Sequence, residues 1–450
     1  MDSTAISELF ARLMPAELFR LLQRELKLKM RDGIYTPRVV LLMMIFERLN
    51  PRGTLASSVE HLAEGRFDPV LSSCKRVQEK KIGLGTGGYC QARQRLPKLV
   101  VSRSMDELVE RLRRQLVTAE GGPRVYLMDG TSLQLEHEQE LVRGYPPTRN
   151  QHGRGHWPML RMLVLHDVDT GLAEHPCWGP MHGRGAVSEQ ALAEQAMARI
   201  PRGSVLLGDC NFGIFSVAYA AQQRELGTVL RLTARRAGKL AGEPIAAEGE
   251  YAICWRPSRW DGARKKSNPG DGSLPPWPAE ACVQGRLIAR RVGRGKAKQW
   301  LFLFTTMSLP ADEVVELYGR RWRIETDLRG LKHTVGLQRV AGRSKDIVDK
   351  QLLVAMMAYN LVRAIMFHAA QHAAIDPRQL SFTYACNIVL DSYPRVLAAR
   401  TEKEQQRELQ RIIQLVARCR LPRRSKRRSY PRQIWSSGYH FPFRPAEKTK

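Results

Sequence analysis

The sequence has no Cys-x-x-Cys pair, no secretory leader pattern and no apolar run long enough to cross a membrane. Its eight cysteines are scattered along 450 residues, so neither a zinc module nor a disulfide framework is indicated. The apolar runs at 41–46 and 352–357 are far shorter than a bilayer-spanning helix. We therefore expect a cytoplasmic protein in a reducing compartment, with no membrane segment.

Acidic residues are scarce relative to basic ones. Lys and Arg total 72 against 44 Asp and Glu, which gives a net charge of +28 and a pI near 10.2. A compact particle with this charge repels itself unless a polyanion is its partner, so nucleic acid is the expected partner. A ribosome-associated or merely basic protein is the alternative. The 43% share of hydrophobic residues argues against it, because it indicates a sizeable core.

Changes in residue pattern divide the chain into five predicted regions. Helices broken by turn signals come first, and strands alternating with helices begin after the Gly-Gly-Pro at 121–123. This order indicates an α/β fold with a mixed sheet covered by helices. The predicted regions are a helical N-terminal DNA-binding region at 1–118, a first core part at 119–235, a β-rich insertion at 236–309, a second core part with two helices at 310–375, and a basic C-terminal region at 376–450.

One helix of the first region is rich in basic side chains. It carries Arg93, Arg95, Lys98 and Arg103. These cations could lie on a DNA phosphate backbone, or they could form an ordinary solvated helix face. The sequence leaves both interpretations open.

Two aspartates follow apolar strand-like runs in the first core part. Asp129 ends RVYLMD before a glycine, and Asp209 ends SVLLGD shortly before another. The ends of strands are where open α/β sheets present polar groups to ligands. Two carboxylates there could hold Mg²⁺ or Mn²⁺, which prefer oxygen ligands. The alternative is that each aspartate caps an unrelated helix.

A third carboxylate lies in the long helical pattern that starts at residue 311. Tyr318, Arg321, Glu325 and Lys332 are separated by three, four and seven residues, intervals that return to one face of an α-helix. A glutamate on that face is placed to bind a metal ion while its polar neighbours bind phosphate. A solvated ladder of ion pairs is the alternative.

These residues together resemble a known family. The string Y-x-x-R-x-x-x-E-x-x-x-x-x-x-K, with DGT at Asp129 and GDCNFG at Asp209, resembles the Asp-Asp-Glu transposases of bacterial insertion sequences, specifically the insertion-sequence-four group. The resemblance covers most of the chain, including the YCQARQRL segment of the first region. It implies an RNase H-like core interrupted by a β-strand insertion before the helix that carries the glutamate.

The resemblance also implies roles for individual residues. Asp129, Asp209 and Glu325 would be the catalytic triad and would bind two Mg²⁺ or Mn²⁺ ions per active site. Tyr318, Arg321 and Lys332 would contact DNA phosphate beside a flipped base. Trp300, in the last strand-like run of the insertion, would stack on that base, and an ordinary core tryptophan is the alternative.

The implied substrates are the terminal inverted repeats of the parent element and a target DNA, both double-stranded. A homodimer that pairs the two ends, acting in a bacterial cytoplasm in association with the nucleoid, is the expected working form. Two other interpretations remain: a domesticated transposase that binds DNA without cutting it, and a nuclease that hydrolyses DNA without strand transfer. The intact signature argues against the first, whereas the second uses the same three carboxylates.

Overall fold

The computed structural model describes residues 16–27, 33–50, 53–67, 71, 74–79, 81–116, 122–150, 153–258, 277–293, 299–399 and 401–421. They fall into two units. The first comprises Met1–Gln115, Gln134–Met159 and Lys332–Lys450, and the second comprises Leu116–Leu133 and Leu160–Leu331. The predicted loop at 259–276 and the basic tail from residue 422 lie outside the described residues.

The N-terminal part of the first unit is helical, as its turn signals predicted. Thr36 caps the second helix by accepting a hydrogen bond from the Val39 amide, and Pro37 occupies the first turn, where its missing N–H costs nothing. The helices are α1 (Ala16–Glu25), α2 (Pro37–Leu49), α3 (Leu55–Ala63), α4 (Lys75–Gln78), α5 (Gly87–Arg95) and α6 (Lys98–Gln115).

A mixed sheet dominates the second unit. Its strands are β1 (Val125–Leu135), β4 (Met159–Asp167), β5 (Cys177–Pro180), β6 (Val205–Gly208), β7 (Gly227–Leu232), β8 (Gly249–Trp255), β9 (Val283–Val292) and β10 (Gln299–Thr305), in the order β5-β4-β1-β6-β7-β10-β9-β8. The neighbours β1, β6 and β7 are parallel, whereas β10, β9 and β8 add to β7 by antiparallel pairing. The strands of the predicted insertion therefore extend the main sheet.

Short elements fill the connections. The helices are α7 (Gln139–Gly144), α8 (Glu189–Met197), α9 (Phe215–Gln222) and α10 (Ala234–Ala241), and a separate hairpin consists of β2 (Arg149–Asn150) and β3 (Gly153–Arg154). Side chains of α8 and α9 pack with those of β1, β6 and β7 in one buried cluster. This cluster fixes the strands whose ends carry the two aspartates.

A disulfide joins Cys254 on β8 to Cys282 just before β9. The scattered cysteine positions indicated no disulfide framework, and they did not predict this single pair. The two residues are 28 apart in sequence, and only the antiparallel pairing of β8 with β9 brings their Cα atoms to 6.0 Å.

The helix predicted from residue 311 is interrupted. It consists of α11 (Ala311–Gly319), a 3₁₀ turn (Arg320–Trp322), α12 (Arg323–Arg329) and a π turn (Gly330–Thr334). Arg320, the first residue of the 3₁₀ turn, pairs with Asp169, and Arg323, directly after that turn, donates to the Val168 carbonyl at 3.1 Å. The predicted long helix is therefore not a continuous α-helix. Because 3₁₀ and π turns change the angle per residue, the single polar face stays a prediction.

The remaining elements belong to the first unit. They are β11 (Arg339–Val340), which pairs with the last residues of β1, and the helices α13 (Lys345–His372), α14 (Phe382–Ala398) and α15 (Glu402–Ala417). The long helix α13 packs against α2, α6, α14 and α15. It is long and apolar enough to cross a membrane, but its apolar stretch is wholly buried, as expected of a core helix.

Candidate active site

Asp129 and Asp209 lie level with each other on neighbouring strands. β1 and β6 are parallel, and Leu127 pairs with Leu207, two residues before each aspartate. β6 ends at Gly208, as predicted, but β1 continues past Asp129 to Leu135. The two carboxylates therefore meet beside the end of β6, the kind of position where α/β sheets bind ligands.

The Asp129 carboxylate lies in a negative, half-buried environment. Its pKa is raised from the ordinary 3.8 to about 6, mainly by burial and to a smaller extent by the negative charges of Asp209 and Glu189. The Gly130 amide, which donates to Oδ1 at 2.8 Å, and the Arg321 cation act in the opposite direction. A carboxyl group with a raised pKa beside other carboxylates indicates a site that binds a cation.

The loop after β6 holds Asp209 from its own backbone. The Asn211 amide donates to Asp209 Oδ1 at 2.8 Å, and the Phe212 and Gly213 amides donate to the Asp209 carbonyl. A Cβ on Gly213 would lie 2.1 Å from the Arg231 carbonyl oxygen. The GDCNFG sequence therefore requires glycine at 213, because any side chain would displace the adjacent strand.

Tyr318 and Arg321 lie at the same site and carry polar atoms without partners. Tyr318 is 7% exposed, and burial raises the pKa of its hydroxyl, with the Asp209 charge a smaller contribution in the same direction. Among the described residues, neither the Tyr318 hydroxyl nor Arg321 Nε, both buried, has a hydrogen-bond partner. The Arg321 guanidinium lies 5.9 Å from the centre of the Tyr318 ring. Buried donors without partners are costly, so these two atoms fit a polar ligand.

Glu325 has a different environment from that of these residues. It lies on α12, is exposed, and makes no hydrogen bond or ion pair with any described residue. Within the described ranges, no three His, Cys, Asp or Glu side chains converge closely enough to hold a metal ion. The structure thus gathers Asp129, Asp209, Tyr318 and Arg321 without bringing Glu325 to them.

Glu189, the first residue of α8, is a neighbour that the sequence analysis missed. Its Oε2 accepts a 2.5 Å hydrogen bond from Asn211 Nδ2, and a Cβ on Gly130 would lie 2.6 Å from its Cδ. Gln190 also donates to Asn211, at 2.6 Å to its side-chain oxygen. The local indication in the sequence is the helix start at Ser188 and Glu189, and this start predicts a helix but not a position beside Asp129.

The donor set fits a hard divalent cation. Carboxylate oxygens are the ligands that Mg²⁺ and Mn²⁺ prefer, and the charges of Asp209 and Glu189 add to the effect of burial on the pKa of Asp129. Asp129 and Asp209 are placed to hold such an ion together. For Glu325 to bind the same ion, α12 has to bring the Glu325 carboxylate to Asp129 and Asp209.

Trp300 lies on β10, half-buried against the sheet core. Its ring stacks on that of Phe302 with 5.6 Å between centres, and the Arg291 guanidinium lies 4.8 Å from the centre of the Trp300 ring. A base that stacked on the face occupied by Arg291 would have to displace it. The structure is compatible with both interpretations, the core tryptophan and the stacking platform.

Lys332 belongs to the first unit, where it follows Gly330 in the π turn. There it lines a cavity together with Arg48 and Arg93. Arg93 is 8% exposed, whereas Arg95 on the same helix is exposed to solvent. The prediction of a single basic helix is wrong, because α5 ends at Arg95 and α6 begins at Lys98. Of the two arginines on α5, Arg95 is solvated and Arg93 lines a cavity.

The chain belongs to the transposases with a DDE domain. The family model for the transposase DDE domain matches residues 120–361, more than half of the chain. One relative is the transposase InsG for insertion sequence element IS4 of Escherichia coli (strain K12), which is 26% identical over 72% of this chain and 70% of its own length. The resemblance to the insertion-sequence-four group is confirmed, and the mixed α/β structure is the expected RNase H-like fold.

Proposed function

We propose that this transposase cleaves the ends of an insertion sequence and joins them to target DNA, with Asp129, Asp209 and Glu325 as the carboxylates of a two-metal active site. The observation that carries the proposal is the pair of level aspartates in a negative, half-buried environment. When bound, Mg²⁺ or Mn²⁺ supplies Lewis-acid activation of the attacking oxygen and stabilisation of the leaving 3′ oxygen.

The protein's own residues bind and orient the DNA in this scheme. Arg321 Nε and the Tyr318 hydroxyl, both without partners, donate to a phosphate beside the two aspartates. In the first reaction a water oxygen bonds to phosphorus and the bond to the 3′ oxygen breaks, which frees a 3′-hydroxyl. In the second, the oxygen of that hydroxyl bonds to a target phosphorus, the bond from this phosphorus to the target's own 3′ oxygen breaks, and the attacking hydroxyl loses a proton while the leaving oxygen gains one. Neither reaction needs a covalent bond to the protein.

The finer assignments belong to the same proposal. The substrates are the terminal inverted repeats of the parent element and double-stranded target DNA, and excision follows a cut-and-paste route. A homodimer pairs the two ends. Lys332 binds phosphate, Trp300 stacks on an extruded base, and the helical region at 1–118 contributes to DNA binding, as does the basic region at 376–450. The nucleoid is the expected cellular location.

Two other functions make different predictions. A domesticated protein binds the element's ends but leaves them intact, and a nuclease produces 3′-hydroxyl ends that never join a target. A strand-transfer assay with labelled end DNA, a plasmid target and Mg²⁺ separates all three. We expect joined products with the wild-type protein and none with Asp209→Asn. Cleaved but unjoined ends would favour the nuclease, and bound, uncut ends would favour the domesticated protein.

A further inference from the structure

A cavity of about 500 Å³ lies within the first unit, apart from the carboxylates described above. Its lining includes Glu47 and Arg48 from α2, Arg93 from α5, Lys332 and His333 from the π turn, and Gln351 from α13. His333 and Gln338 in the lining are exposed, so the cavity opens to solvent on that side.

Positive charge prevails around this cavity. Three permanent cations, Arg48, Arg93 and Lys332, face a single carboxylate, Glu47. Glu47 and Arg93 form only a loose ion pair, because Arg93 Nη1 lies 3.9 Å from Glu47 Oε2. Burial raises the pKa of Glu47, whereas the charges of Arg93 and Arg48 act in the opposite direction. The cavity therefore has a net positive charge that a bound anion would compensate.

Arg48 is held rigidly at the back of the cavity. Its Nε donates to Gln351 Oε1 at 2.6 Å, and its Nη1 donates to the Gly336 carbonyl at 3.3 Å. Both of these acceptors are neutral. Burial and the nearby Arg93 charge lower the pKa of Arg48 to about 10, while the Glu47 carboxylate acts in the opposite direction, and the group remains cationic at neutral pH.

Arg93 supplies an unused donor. It is 8% exposed, and its buried Nε has no hydrogen-bond partner among the described residues. A buried donor left without an acceptor is costly, and a bound oxyanion would recover that cost. Arginine and lysine around one cavity are also the side chains that recognise phosphate best.

We propose that this cavity binds a backbone phosphate of the element's end DNA, with Arg93 and Arg48 completing a site around Lys332. The inference rests on the proposed function, because it takes end DNA as the source of the phosphate. It adds two arginines from the helical N-terminal region, the buried Arg93 and the half-buried Arg48, to the phosphate contact that the family signature assigns to the lysine alone. The N-terminal region then binds DNA through a formed cavity and not only through its exposed basic surface.

The test compares Arg93→Gln with Arg95→Gln, a matched control on the same helix whose side chain is exposed. Affinity of the full-length protein for end DNA is measured across a salt series without divalent metal. Loss of one phosphate contact should reduce the slope of log K against log salt by about one and weaken binding roughly tenfold near 0.1 M salt. Arg95→Gln should retain the wild-type slope. Equal changes in both variants, or no change in Arg93→Gln, would overturn the proposal.

Two further measurements keep the test decisive if Arg93→Gln is unstable. Glu47→Gln removes the competing carboxylate and should tighten DNA binding, whereas unchanged or weaker binding would contradict a phosphate site. Inorganic phosphate, compared with chloride at equal ionic strength, should raise the Tm of the DNA-free wild-type protein and of Arg95→Gln, but not of Arg93→Gln. If wild-type protein does not bind end DNA, the proposed function fails. The effect of inorganic phosphate on the Tm then tests by itself whether the cavity binds phosphate.

Discussion

Replacement of Asp129 by Asn should stabilise the metal-free protein at neutral pH. The pKa of Asp129 is about 6 in the folded chain and 3.8 ordinarily, so the folded state binds its proton more tightly than the unfolded state does. Stability due to this group is fully present below pH 3.8 and is lost as pH rises to about 6. The loss amounts to about 3 kcal/mol at 1.36 kcal/mol per pH unit. Asparagine carries no charge and keeps an acceptor for the Gly130 amide, so it avoids this loss.

The assay is denaturant unfolding of wild type and Asp129→Asn between pH 4 and pH 8 in the presence of a chelator. The two proteins should be equally stable near pH 4, and the variant should gain an advantage that reaches about 3 kcal/mol above pH 7. Glu325→Gln is the control, because Glu325 is exposed and its neutralisation should change stability little. A constant difference across the pH range, or no gain at pH 7, would show that Asp129 is not in a buried negative environment.

Three other substitutions test the geometry of the site. Gly213→Ala should cost about 3 kcal/mol in unfolding free energy, because its Cβ meets the Arg231 backbone, and a loss under about 1 kcal/mol would contradict that contact. Gly130→Ala meets only the flexible end of Glu189, so denaturant unfolding should show a smaller loss, and a loss as large as that of Gly213→Ala would be inconsistent with this contact. Trp300→Ala should slow end processing while Trp300→Phe retains most of it, because an aromatic face on a base is worth roughly 1–3 kcal/mol. A normal rate for Trp300→Ala would remove Trp300 from the site.

The sheet and its two aspartates could be predicted because their signals are local. Apolar runs of strand length, each ending in Asp with a Gly directly or shortly after it, mark β1 and β6 wherever the rest of the chain lies. The alternation of strands with helices predicted after residue 123 was confirmed. The end of β1 was not found, because DGTSLQL continues an alternating pattern that a search for a buried run does not follow.

The features that were not predicted depend on tertiary contacts, which residue spacing does not reveal. The helix from residue 311 is interrupted by a 3₁₀ turn where Arg320 and Arg323 contact the turn after β4. Glu189 lies 60 residues after Asp129 in sequence and joins it only through the packing of α8 on the sheet. The disulfide likewise required knowledge that β8 pairs with β9.

The central claim is that Glu325, exposed in this structure, is the third carboxylate of the active site. The most direct test is Mg²⁺-dependent cleavage of the element's end DNA by wild type, Glu325→Gln and Glu316→Gln, with binding measured in the same tubes. Glu316 is also exposed and lies on the preceding helix, so it is the matched control. We predict that Glu325→Gln binds end DNA normally and does not cut it, whereas Glu316→Gln cuts like wild type. Equal cleavage by all three proteins would contradict the assignment.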